Sequence, residues 1–189
     1  EAILRRAAQY SHRMTEHEFF THVTAAVMWG IPLPYGALRG RRLDVGVFSP
    51  RRNPESRGVR GHEVHPRLAN VQIHPVTGLR VTTPASTWAM LGCVLPDHYD
   101  LVAAGDAVIR RQMHRADLPP LATLDQLQAS IDAGRRRGVV ALRRALPRIR
   151  SGSSSRPETW LRLTLVDGGL DEPTANFDVW QDGVWLARV

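Results

Sequence analysis

Residues 155 to 189 read SRPETWLRLTLVDGGLDEPTANFDVWQDGVWLARV. Ser155, with Glu158 three positions later and Pro157 in the first turn, matches a capping box that opens a helix. The apolar spacing predicts burial of Trp160, Leu161, Leu163, Leu165 and Val166, and Gly168-Gly169 stops the helix. Segments 177–181 and 184–189 read as strands around Asp182-Gly183, a dipeptide that tolerates the positive φ of a two-residue turn. That register sets Trp180 opposite Trp185, with Asp178 on the same face as both. A two-stranded hairpin alone is marginal in water. The helix and hairpin therefore read as the opening of an α/β domain whose remaining strands are expected beyond Val189.

Upstream, Thr21 caps a short helix that Gly30 stops, and Pro32 and Pro34 prevent its continuation. Segments 43–48 and 61–65 look like strands, joined by a basic loop over 49–60. Segments 71–74 and 79–82 make a further pair across Thr77-Gly78. The period then changes from two to about three and a half. Thr83-Pro84 opens a helix to about Leu95, Asp97 caps one to about Arg115, and Thr123 caps one to Ala133. Segment 135–149 is expected as a helix with Val139, Leu142, Ala145, Leu146 and Ile149 on one face. Arg136, Arg137, Arg143, Arg144 and Arg148 are expected on the opposite face. The expected fold class is α/β (mixed α+β), a small sheet with helices. Its expected units are residues 17–118, a helical arginine-rich region at 119–150, and the start of a further α/β domain at 151–189.

All 25 basic residues of the 189 are arginine. The absence of lysine excludes a phosphate-loop lysine and Schiff-base chemistry within these residues. Seven arginines between Arg135 and Arg150 have no acid among them, which leaves 18 arginines facing 18 Asp and Glu elsewhere. The net charge of +7 is thus local. A second excess covers 39–80, where nine arginines face Asp44, Glu55 and Glu63. Both stretches are places for a polyanion to touch. Cys93 is the single cysteine, which excludes an internal disulfide and a cysteine-rich zinc site. With no signal-peptide pattern and no unbroken apolar run of spanning length, a cytoplasmic location without membrane association is expected. No nucleophile elbow, dinucleotide fingerprint or His-Glu-x-x-His run is present, and no small-molecule cofactor is indicated.

Several runs together resemble a group of actinobacterial proteins that join an AbiEi-type antitoxin region to an endonuclease-like domain related to very-short-patch-repair nucleases. They are Thr21-His22-Val23-Thr24-Ala25-Ala26 with Trp29-Gly30, Thr83-Pro84-Ala85-Ser86-Thr87-Trp88, Val102-Ala103-Ala104-Gly105-Asp106, and the stretch 153–172 closing on Asn176. The resemblance covers roughly residues 17 to 189, with Ser86 where arginine is usual. It implies an AbiEi-antitoxin-like region followed by the amino-terminal third of a restriction-endonuclease-like domain. It further implies that the core acids of a nuclease lie beyond Val189, with Mg2+ as the cofactor of the complete domain and none in the present residues.

Glu158 is the one residue matching a nuclease carboxylate, and one carboxylate cannot hold a divalent ion and position water. Its bland reading is the capping box, with Arg162 one turn on as a partner. The leading expectation is a non-catalytic, nucleic-acid-associated protein that binds DNA. Its candidate contacts are Arg136, Arg137, Arg143, Arg144 and Arg148, and the loop arginines Arg51, Arg52, Arg57 and Arg60. The alternatives are the front of a metal-dependent DNA endonuclease, with Glu158 assisting, and an antitoxin-like regulator with a cognate toxin protein as partner. His62 and His65 are a poor metal pair on a strand, because an odd spacing points them to opposite faces. Asp106 is expected as a structural hydrogen-bonding acid, and Trp29 and Trp88 as core.

Overall fold

The computed structural model describes residues 1–40, 42–112, 119–153 and 155–188. Its centre is a mixed five-stranded sheet in the order β3-β2-β1-β5-β4, built from β1 (Phe19–Phe20), β2 (Leu43–Phe48), β3 (Val59–Val64), β4 (Val71–Ile73) and β5 (Arg80–Thr82). The two residues of β1 lie antiparallel to β2 and parallel to β5. Their alternation sends the rings to opposite sides. Phe20 enters the main core, while Phe19 joins Val64, Ala69 and Met90 on the other side and meets the Phe48 ring at 4.8 Å. β4 and β5 pair antiparallel around Thr77-Gly78. β2 and β3 pair in parallel, Asp44 opposite Arg60 and Gly46 opposite His62.

Helices α1 (Ala2–Ser11), α2 (His22–Met28) and α3 (Tyr35–Leu38) come from the first forty residues. Helices α4 (Pro84–Leu91), α5 (His98–Val108), α6 (Leu124–Asp132), α7 (Val139–Ala145) and α8 (Arg156–Asp167) follow the sheet. Thr83, Asp97 and Thr123 cap α4, α5 and α6 with their side chains, Thr123 in a reciprocal capping box with Gln126. The main core runs from Ile3 in α1 to Leu163 in α8 and centres on Trp88, whose indole N–H donates to the Leu101 carbonyl at 3.0 Å. The α1 helix was not expected. Ile3, Ala7 and Tyr10 bury one stripe of it, at the spacing of an amphipathic helix.

Several expectations need correction. The helix expected to run from Thr83 to about Leu95 ends at Leu91. The helix expected to reach Arg115 ends at Val108, and Arg115 itself lies outside the described residues. The helix expected over 135–149 starts only at Val139. Gly138 has φ +79°, a left-handed backbone, and a Cβ there would collide with the Gly92 main chain. Arg136 and Arg137 therefore sit in a turn, not on a helix face. In α8 the inward residues are Thr159, Arg162 and Leu163, whereas Leu161 is 61% exposed. The cause is Asp106 on α5, 1% exposed, which draws Arg162 inward to a 3.0 Å ion pair. α8, the first element of the unit expected at 151–189, is thereby packed on α5 and shares its core.

The hairpin of β6 (Asp178–Gln181) and β7 (Val184–Arg188) forms as expected, Trp180 opposite Trp185. The Trp185 indole donates to Asp178 at 3.0 Å. Several of its apolar side chains are exposed, Trp180 at 60% and Trp185 at 51%, while Val179 is partly buried. Among the described residues no helix is long and apolar enough to cross a membrane.

Candidate nucleic-acid interface

The parallel pairing of β2 with β3 and the turn at 135–137 enclose a cleft of about 820 Å³. Arg60 lines one wall from β3, and Arg135, Arg136 and Arg137 line the other. Two stretches about 75 residues apart, each singled out by its charge, thus meet in space. Arg60, Arg135 and Arg137 are exposed. Arg136 is half-buried. One of its terminal nitrogens donates to the Leu68 carbonyl at 2.8 Å, and its buried Nε has no partner among the described residues. Burial holds this guanidinium below its ordinary pKa. Arg136 ties this segment to the single helical turn Pro66–Leu68 that follows β3, leaving Arg135 and Arg137 exposed.

The rest of the lining comes from α2, the two parallel strands and the end of α4. The Thr21 N–H donates to the Asp44 carbonyl at 3.1 Å, and the Asp44 N–H donates to the Thr24 hydroxyl at 2.8 Å, which fixes the start of α2 on β2. His22 adopts φ +47° there, an uncommon conformation for a side-chain-bearing residue. Its ring stacks on His62 with centroids 4.0 Å apart and planes 22° from parallel. His62 Nε2 lies 2.9 Å from Asp44 Oδ1. A carboxylate only accepts, so Nε2 carries the hydrogen and Nδ1 is left for another partner. The Asp44 side chain is 1% exposed and that of His62 20%, so the imidazole is the part of this pair that reaches the cleft.

The other expected contact residues do not join this site. Arg143 and Arg144 are exposed on α7, outside the cleft lining. Arg148 forms a bidentate pair with Asp167 at 2.6 and 3.1 Å, so the single five-arginine face does not exist. Arg51, Arg52 and Arg57 are exposed on the loop between β2 and β3, with Arg52 paired to Glu55 at 3.0 Å. Glu158 is held on both oxygens. The Ser155 hydroxyl donates to Oε1 at 2.8 Å and the Asn176 amide to Oε2 at 3.1 Å. The capping box is therefore half formed. Ser155 accepts from the Glu158 N–H, while the Glu158 carboxylate holds Asn176 and the hydroxyl. The pairing with Arg162 does not occur, since Arg162 turns to Asp106 and Glu172.

Among the described residues no three His, Cys, Asp or Glu side chains stand together as a metal site. Glu158 is engaged on both oxygens, and the cleft itself is lined by arginines and histidines together with Asp44 and Glu63. Asp106 is a hydrogen-bonding acid, accepting from the Arg150 N–H at 2.7 Å, the Thr159 hydroxyl at 2.8 Å and Arg162. Trp88 is fully buried, and Trp29 is partly buried with its indole on the Thr82 carbonyl. Asp44, His22 and the pairing role of His62 were not foreseen. The runs containing them show no local pattern that announces a parallel strand pair. No family model matches the chain, and comparison with curated proteins and with solved structures yields no match.

Proposed function

We propose that this is a nucleic-acid-associated protein that grips the phosphate backbone of DNA through the cleft between β3 and the turn at 135–137. One observation carries the reading: Arg60, Arg135 and Arg137 project into a common cleft from distant parts of the chain. Guanidinium groups form charge-assisted hydrogen bonds to phosphate and release condensed counterions when they do so. The resemblance of 21–30, 83–88 and 153–176 to antitoxin-and-endonuclease-like fusions supports the same partner. The test is duplex DNA affinity across a salt series for wild type and an Arg60→Ala/Arg135→Ala/Arg137→Ala variant. Three phosphate contacts account for a log-log salt slope of about −2.7, and the variant should lose about that much of it. Unchanged affinity and slope in the variant would sink this reading.

A second reading treats the chain as the amino-terminal part of a metal-dependent DNA endonuclease. It is favoured by the exposed apolar side chains of the hairpin, Trp180, Val184, Trp185 and Leu186, each at least half exposed. Surface of this kind ordinarily packs against something. Magnesium-dependent cleavage of duplex DNA by the full-length gene product, lost on Glu158→Gln, is the outcome this reading requires.

A further inference from the structure

The cleft between β3 and the segment before α7 is bounded as well as charged. Arg60, Arg135, Arg136 and Arg137 line it together with Asp44 and Glu63. Four arginines against two acids leave two formal positive charges, with the imidazoles counted neutral. Glu63 is exposed and lies three residues after Arg60 on β3, which is about 10 Å along a strand. A phosphodiester chain running along β3 from Arg60 therefore meets a carboxylate within about one Debye length. The nearest loop arginine, Arg57, precedes β3 and so belongs to its other end.

Shape agrees with charge. At about 820 Å³ the cleft has the size of pockets that take in a whole small ligand. The end of a nucleic-acid strand can enter such a space, whereas an uninterrupted duplex lies across its mouth. An internal phosphodiester carries one charge, but a phosphate monoester carries about two at neutral pH and offers three strong acceptor oxygens. Guanidinium forks from opposite walls can share those oxygens. One wall is set before the ligand arrives, since Arg136 is anchored on the Leu68 carbonyl and Gly138 is pressed against the Gly92 main chain. Such preorganisation lowers the cost of binding.

We infer that this cleft receives the terminal phosphate monoester of a DNA strand. The inference rests on the function proposed above and narrows it from backbone to chain end. The terminal phosphate and the next phosphate of the strand together supply the three charges behind the salt slope given there.

The experiment follows anisotropy of one DNA duplex, labelled at an internal base, in four forms: phosphate at the 5′ ends, phosphate at the 3′ ends, hydroxyl at every end, and both ends closed by hairpin caps. At neutral pH and fixed ionic strength, one or both phosphorylated forms should bind about tenfold tighter than the hydroxyl-ended and closed forms. The preference should fall below about twofold in Arg135→Ala/Arg137→Ala, whose substituted side chains are both exposed. Equal affinity for all four forms, reduced in the variant, overturns the chain-end inference and leaves the backbone reading standing. A preference undiminished in the variant overturns the cleft as its seat. Binding of a phosphorylated single strand, but of no duplex, upholds the end site and overturns the duplex reading. Absence of binding to every form overturns both.

Discussion

Replacing Arg162 by Met tests how α8 is attached. The Arg162 side chain is 5% exposed and spans three acceptors: Asp106 at 3.0 Å, the Arg148 carbonyl at 2.9 Å and Glu172 at 2.7 Å. Removing one partner of a buried pair costs about 3–5 kcal/mol, because the other charge is left uncompensated. Two features place this site at the low end, at about 3 kcal/mol. Asp106 keeps its bonds from the Arg150 N–H and the Thr159 hydroxyl, and burial already raises its pKa above the ordinary carboxylate value, against the pull of those donors and Arg162. At about 2–4 °C per kcal/mol for a chain of this size, the melting temperature should fall by about 9 °C. A carboxyl that is more basic folded than unfolded costs stability as pH rises through its folded value. Without Arg162 that value climbs further, so the deficit should be greatest at neutral pH and shrink as pH falls through the folded value toward the ordinary carboxylate range, where a protonated Asp106 needs no counter-ion. Urea unfolding of Arg162→Met, Asp106→Asn and the double variant reads these quantities. The double variant should be less destabilised than the sum of the singles by about 1–3 kcal/mol. A single-variant cost below about 1 kcal/mol, or strict additivity, would refute the claim that this pair docks α8 on α5.

Two further outcomes follow from the same packing. Burial pushes the His98 imidazole below its ordinary pKa, with Arg144 and Arg148 adding to the effect. The unfolded chain therefore accepts a proton near pH 6.5 that the folded chain refuses, so stability should decline as pH falls below about 6.5 and level off beneath the folded value. Thermal melts of His98→Gln should show a shallower decline than wild type, and equal declines would count against it. Gly138→Ala puts a side chain on a left-handed backbone and into the Gly92 main chain. A loss of about 2–4 kcal/mol in urea unfolding is expected, and an unshifted midpoint would mean that the start of α7 is not set there.

The elements legible in the sequence are those specified by neighbours in the chain. Thr83, Asp97, Thr123 and Ser155 each announce a helix start because a cap satisfies backbone donors two or three residues on. Asp182-Gly183 fixed the hairpin register for the same local reason, both residues having positive φ. The arginine helix failed at Gly138, whose left-handed backbone answers to its approach to Gly92 and to nothing in its own segment. The inward turn of Arg162 likewise answers to Asp106, 56 residues away. An apolar count along α8 cannot see a buried acid on another helix.

Charge in a sequence window and charge at a surface differ for a related reason. Three of the seven arginines between 135 and 150 are paired within the protein: Arg136 with the Leu68 carbonyl, and Arg148 and Arg150 in surface ion pairs with Asp167 and Glu172. The two acids come from α8 and the segment after it, so an acid-free window acquires counter-charges in space. The cleft gains from the same folding what the window loses. Arg60 arrives from β3 to face Arg135 and Arg137, and the parallel register brings Asp44 beneath His62. Neither meeting is written in any local run, because parallel strands are joined through long connections and their register is set by what they bury. A triple arginine variant therefore probes what that strand pairing and the segment before α7 bring together. Removing Arg60, Arg135 and Arg137 takes out cations that hold their charge at any working pH, so the loss of salt slope should be the same wherever duplex binding is measured, and a loss confined to one pH would refute the cleft as a fixed-charge site.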